Sequence, residues 1–188
     1  MESAARRETA FRSVDGPDEA AQREFRDAMG LFPTGVTLLT ARGPDGADRA
    51  ITANSLTSVS LDPLLVLVGV EHASRLHHAV LSSGLWAVSL LSRDTEHVAR
   101  RFAERGHRVP EALADVPHHR GPASGALVLD GALAVLECRT TAVLPGGDHT
   151  VLLGEVLRID VRHPEEAPLV WFRGRYRDLE ELADRPAG

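Results

Sequence analysis

The residues able to do chemistry gather in four short stretches. The first is residues 51–60, ITANSLTSVS, where seven of ten residues are Thr, Ala, Asn or Ser. The hydroxyls of Thr52, Ser55, Thr57 and Ser58 and the amide of Asn54, with Ala53 among them, can line a polar ligand without adding charge. The same run also reads as an edge strand with a solvated face, since Thr favours strands and Ser tolerates them poorly. The second stretch is Ser74-Arg75, at the expected start of a helix that follows an apolar strand. Free backbone N–H groups, a hydroxyl and a guanidinium make a phosphate seat; plain helix capping is the alternative. The third, Gly147-Asp148-His149, closes a hairpin and brings a histidine to the end of a strand, where it reaches a ligand or simply faces solvent. The fourth, Gly174-Arg175-Tyr176, follows Trp171 and Phe172, which are equally at home in aromatic core packing.

Other chemistries lack their marks. The nine histidines include the neighbours His77-His78 and His118-His119, but adjacent helical side chains point about 100° apart and rarely share one ion. With no HExxH and no CxxC, no metal site is expected. The chain has no GxSxG elbow, no P-loop and no GxGxxG, so hydrolase, nucleoside-triphosphatase and Rossmann readings have no support. A formal charge of −6 gives no nucleic-acid footprint. No apolar run reaches the length of a membrane span, and the arginine-bearing N-terminus lacks the apolar core of a secretion signal. The one cysteine, Cys138, cannot make an internal disulfide, which fits a reducing cytoplasm.

The elements that must position these residues follow from pattern. The length of 188 residues suggests one domain, here 21–182, behind a mobile tail over 1–20 that lacks an apolar period. Phe25, Ala28 and Met29 predict a helix over 21–31, broken at Pro33. Strands are expected over 36–41 and 49–53 around an Asp45-Gly46 turn. The almost wholly apolar 64–70 reads as a strand covered on both faces. A helix over 75–81 and a strand over 85–91 come next. A second helix, capped by Asp94 or Thr95, runs to about 104 with Val98 and Phe102 inward. Residues 106–125 form a long segment without a period. Two strands share 127–143 around Asp130-Gly131, a hairpin tip lies at 145–148, and strands are expected over 149–161 and 168–173. Short strands on tight turns point to a mainly β protein with an antiparallel sheet or barrel.

In their order and wording these segments resemble the flavin reductase domain of two-component flavin-dependent monooxygenases, in the FMN-binding split-barrel group. The resemblance runs from about residue 25 to about 179. It is carried by FRDAMGLFPTGVTLLTA, ITANSLTSVSLDP, LVLVGVEHASRLHHAVLSSG, WAVSLLS with a following helix ending RFA, LECRTTAVLPGGDHTVLLGEV and PLVWFRGRYRDL. It implies a Greek-key split β-barrel with a few flanking helices, and a homodimer with FMN or FAD at or near the interface. Pro33 and Thr34 would then lie against the flavin ring. Thr52, Ala53, Asn54, Ser55, Thr57 and Ser58 would bond the ring edge and ribityl chain, and Ser74 and Arg75 would seat the phosphate. His149 would meet the nicotinamide ring, and Tyr176 would close the site. The implied reaction is hydride transfer from NADH, or NADPH, to flavin, with reduced flavin leaving for a partner monooxygenase. Two departures stand out: Asp62-Pro63-Leu64 replaces the usual Asp-Pro-Pro, and Ser89 stands where an asparagine contacting the ligand is more common. A non-catalytic flavin carrier or sensor of the same fold is the alternative. An amine-oxidising flavoenzyme of the group would need cations beyond Arg75 that the sequence does not make evident.

Overall fold

The computed structural model describes residues 18–104, 106–177 and 179. Residues 1–17 of the expected tail lie outside them, while residues 19 and 20 already belong to the first helix. That helix, α1 (Glu19–Gly30), starts where the Asp18 carboxylate accepts the Ala21 N–H at 2.6 Å, an ordinary N-cap. It stops just before Pro33.

The main sheet is antiparallel throughout. Its strands are β2 (Thr37–Arg42), β3 (Asp48–Ala53), β4 (Thr57–Leu61), β5 (Leu64–Glu71), β6 (Leu85–Leu91), β9 (Ala132–Gly146) and β10 (His149–Val161). Their spatial order is β3-β2-β6-β9-β10-β5-β4. The two outermost strands, β3 and β4, are consecutive in the chain and joined only by residues 54–56. Each linking residue spans at most roughly 3.3–3.6 Å. The sheet must therefore curl until its edges nearly meet, which is a split barrel.

Helix α2 (Arg75–Ser83) plugs the split. Its Leu76, Ala79 and Val80 join Leu39, Val70, Trp86 and Leu152 in the core. Gly84, at φ 66°, ends the helix in the left-handed conformation. On the outside of the sheet a second core forms under α3 (Glu96–Ala103) and α4 (Val109–Ala112), from Leu38, Val98, Phe102, Leu113 and Leu129. Leu38 and Leu39 enter opposite cores because strand side chains alternate. Trp86 is fully buried and donates its indole N–H to Thr140 Oγ1 at 3.0 Å. Gly154 on β10 faces it; a Cβ there would lie 2.3 Å from the ring, so only glycine fits.

Several expectations are corrected. The strand covered on both faces is β2, buried from Thr37 to Ala41, whereas β5 alternates between buried and half-buried positions. Thr95 holds the N-cap position of α3 as expected but makes no side-chain capping bond: its hydroxyl donates back to Ser92 O at 2.8 Å inside a single 3-10 turn, Arg93–Thr95. Residues 106–125 are not shapeless. They hold α4 and β7 (His118–Arg120), which pairs with β8 (Leu127–Leu129). The buried Glu137 carboxylate anchors the rest, accepting Ala123 N–H, Ser124 N–H and Ser124 Oγ–H at 2.9, 2.7 and 2.8 Å. The last expected strand is shorter, β11 (Val170–Phe172). It forms a separate three-stranded sheet between β1 (Thr34–Gly35) and β12 (Arg175–Arg177), neither of which the sequence pattern reveals. Among the described residues no helix is long and apolar enough to cross a membrane.

Candidate functional site

The polar run divides at the barrel split. Ile51, Thr52 and Ala53 end β3, Asn54 and Ser55 cross the gap, and Thr57 and Ser58 begin the edge strand β4. A cavity of about 310 Å³ opens at the crossing, at the lower end of the size of small-ligand sites. Thr52, Ala53, Asn54 and Ser55 form one wall, and Ser74 and Arg75 at the start of α2 form another. Glu104 and His107, between α3 and α4, line a third side, with Gly69 and His149 across from them.

Not every hydroxyl here is available. Thr52 Oγ1 donates to Ala99 O at 2.7 Å and so fastens β3 to α3. Ser55 Oγ accepts Gly69 N–H and donates to Gly69 O, both at 3.1 Å. It substitutes for the ladder partner that β4 does not supply, because β4 pairs with β5 only up to Leu67. Asn54 is exposed and its amide bonds to no other described residue.

Ser74 is the N-cap of α2, its Oγ accepting Leu76 N–H at 3.1 Å. Arg75 Nη2 donates to His107 O at 2.8 Å, tying the helix start to the opposite wall. His149 opens β10, opposite Glu71 on β5. Its Nδ1 lies 2.7 Å from Asp148 Oδ1, and this hydrogen bond holds the Asp148 carboxyl below its ordinary range. An ionised carboxylate only accepts, so the proton of that bond is on Nδ1 and a neutral ring keeps Nε2 as an acceptor. Behind it, Thr150 Oγ1 bonds both His72 Nε2 and His77 Nε2, at 3.1 and 2.8 Å. Burial, aided by His72 and His78, lowers the His77 pKa. Among the described residues no three His, Cys, Asp or Glu side chains gather as a metal site. Burial pushes the Cys138 thiol up to about 12, far from nucleophilic use.

The other expected site residues lie elsewhere in the chain. Thr57 and Ser58 are exposed on β4. Pro33 and Thr34 belong to the β1 region; Thr34 pairs with Trp171, and its buried Oγ1 has no partner among the described residues. Tyr176 pairs with Trp171 at a ring distance of 4.9 Å, with the Arg100 guanidinium 5.0 Å from its own ring centre. Ser89 is buried in β6 and its hydroxyl accepts Leu129 N–H at 3.2 Å, a structural bond outside the cavity. Conversely, the cavity includes Arg49, Gly69, Glu104 and His107, which the sequence reading passed over. Gly69 carried a readable signal, since a glycine inside an apolar strand marks a close approach.

The flavin reductase like domain family matches residues 29–180. The chain belongs to that family. It is 39% identical over 185 residues to the NADH-dependent FMN reductase AsuE2 of Streptomyces nodosus subsp. asukaensis, covering 92% of this chain and 93% of the relative. It is also 39% identical, over 163 residues, to an NADH-dependent FAD reductase of Streptomyces globisporus, covering 86% and 87%. Among solved structures, it matches BorF, the flavin reductase component of a bacterial two-component tryptophan halogenase, with TM-score 0.78 and 39% identity over 84% of this chain and 98% of that one. The split barrel of this flavin reductase-like chain is thus the fold of its relatives.

Proposed function

We propose that the chain is an NADH-dependent flavin reductase that hands reduced flavin to a partner flavin-dependent monooxygenase. The observation that carries this reading is the convergence of Thr52–Ser55, Ser74-Arg75 and His149 on one cavity, although the chain separates them widely. When bound, the flavin accepts a hydride from the nicotinamide, chemistry that asks for stacked rings at close range more than for a protein acid or base. The residues fit that task. The Asn54 amide supplies neutral donors to the ring edge, Arg75 and the start of α2 hold a phosphate, and Gly69 keeps the floor thin. His149, steadied by Asp148, orients the nicotinamide. No carboxylate sits on the 52–55 wall to repel charge gathering on a reduced ring.

A homodimer belongs to this reading. Leu157, Ile159 and Val161 present an exposed apolar stripe on β10, and Val59 and Leu61 another on β4. Pro33, Thr34, Thr57, Ser58 and Tyr176 do not line the cavity of their own copy and reach a flavin only where a second copy brings them to the cavity rim. Residues 21–182 act as one domain, and we place the protein in the cytoplasm, where one buried thiol stays reduced. Anaerobic incubation with each nicotinamide and each flavin tests the activity. Flavin-dependent loss of NADH absorbance is expected. Tight flavin binding without that loss supports the carrier reading, and folded protein that does neither contradicts both.

A further inference from the structure

His149 stands between two anchors that both belong to His72. The His72 backbone N–H donates to Asp148 O at 3.0 Å, and the His72 ring meets the Thr150 hydroxyl through Nε2 at 3.1 Å. The same hydroxyl meets His77 Nε2 at 2.8 Å. His77 sits in the first turn of α2, its backbone N–H bonded to Ser74 O at 3.1 Å. Short bonds thus run from the phosphate seat at Ser74, through His77 and Thr150, to the strand position beside His149. We infer that Thr150 is a positioning residue for hydride transfer: its hydroxyl, shared by His72 and His77, fixes the start of β10 against α2 and so sets His149 relative to the flavin seat. The inference rests on the flavin reductase reading above and adds to it a residue outside the cavity.

The side chain suits this task. A hydroxyl has one proton and two lone pairs, so it serves two imidazole nitrogens at once, donating to one and accepting from the other. A valine of the same branched shape does neither. Thr150 is buried, and burial also lowers the His77 pKa, aided by His72 and His78, which keeps that ring neutral at neutral pH. The two rings meet edge to face with centres 5.1 Å apart, so each limits the swing of the other. The backbone at 150 pairs with Val70 on β5 and Pro145 on β9, so the strand forms without the hydroxyl. What the hydroxyl adds is placement relative to α2. That matters here because His149 lies two residues past the Gly147 turn, at a hairpin end, where ladders fray first. A reaction that depends on ring placement is sensitive to such slack.

The test is steady-state NADH oxidation at neutral pH with saturating FMN or FAD, on the full chain, Thr150→Val and Thr150→Ser. Flavin dissociation constants come from fluorescence quenching, and thermal midpoints check each fold. Thr150→Val should raise the KM for NADH at least about twofold and at most about 13-fold, the range for one neutral hydrogen bond, with flavin affinity kept within about twofold. Thr150→Ser, which keeps the hydroxyl, should return the KM to that of the unaltered chain. In a His149→Ala background Thr150→Val should add nothing, because its effect passes through His149. His72→Ala, at an exposed position, should raise the KM in the same direction and carries the test if Thr150→Val does not fold. An unchanged KM in these variants, a Thr150→Ser that behaves like Thr150→Val, or an additive loss in the double variant overturns the inference. Each leaves the reductase reading intact, since the unaltered chain still oxidises NADH. A folded, unaltered chain that oxidises no NADH with either flavin overturns the reductase reading and the inference with it.

Discussion

Residues 51–55 and 57–61 each carry three Thr, Ser or Asn residues in five and put them to opposite uses. The first half ends β3 and crosses the barrel split, so its backbone leaves the sheet and its side chains face a cavity. The second half lies on the sheet edge, paired on one side only, with Thr57, Ser58, Val59 and Leu61 exposed. Ser55 and Ser58 are three residues apart, yet Ser55 is locked to both backbone groups of Gly69 while the Ser58 hydroxyl bonds to no other described residue. Side-chain chemistry proposes a binding wall; the position of the backbone relative to the sheet edge decides which hydroxyls form it.

The largest break in that contrast comes from Arg75→Ala. Losing a charge-assisted contact costs about 1.5–3 kcal/mol, so the dissociation constant for FMN or FAD should rise about 10- to 150-fold. Fluorescence quenching measures it, and a change within twofold would remove Arg75 from the phosphate seat. Ser55→Ala comes next. It removes both exposed hydrogen bonds to Gly69, and stability should fall by about 0.5–1.5 kcal/mol in urea denaturation, a larger loss than at the edge strand. His149→Ala follows, with an expected rise of about 2- to 13-fold in KM for NADH and nearly unchanged flavin affinity, the loss of one neutral contact. A loss confined to flavin binding would reassign the residue. The smallest effects belong to the edge: Ser58→Ala should alter stability by no more than about 0.5 kcal/mol. A large loss in Ser58→Ala would erase the distinction between the two halves.

A titration sharpens the picture of the wall behind the cavity. Arg101 on α3 binds Asp115 Oδ1 at 2.6 Å and also donates to Ala112 O, clamping α3 to α4. The Arg101 hydrogen bond lowers the Asp115 pKa from 3.8 to about 2. A depressed carboxyl contributes stability that is present above the ordinary value and lost as pH falls through the folded one. Acid unfolding between about pH 4 and pH 2 should therefore steepen with Asp115 and flatten in Asp115→Asn. Identical acid profiles would show that the clamp contributes nothing in that window.

Much of this architecture is legible in the chain. Strand β10 begins at His149 and β6 spans Leu85 to Leu91, as their apolar patterns indicate, because local alternation and turn residues set those limits. What escapes is whatever depends on long-range partners. The two-sided burial of β2 arises from helices that arrive much later in the chain. Within the segment 106–125, residues 123–124 are held by Glu137, a carboxylate on β9, and α4 is held by Arg101 on α3. Arg49 becomes a neighbour of Arg75 only because the barrel curls its edge toward α2. The hydroxyls of Thr52, Ser55 and Ser89 look free in the sequence and are engaged in the fold.

Backbone hydrogen exchange with and without saturating FAD tests the central claim most directly. Bound flavin should slow exchange most at residues 52–55, at Gly69 and at 74–76, and less at β4, residues 57–61, which meets the flavin only across the dimer. Slowed exchange confined to β4 or to the β1–β11–β12 sheet, with the cavity walls unchanged, would contradict it.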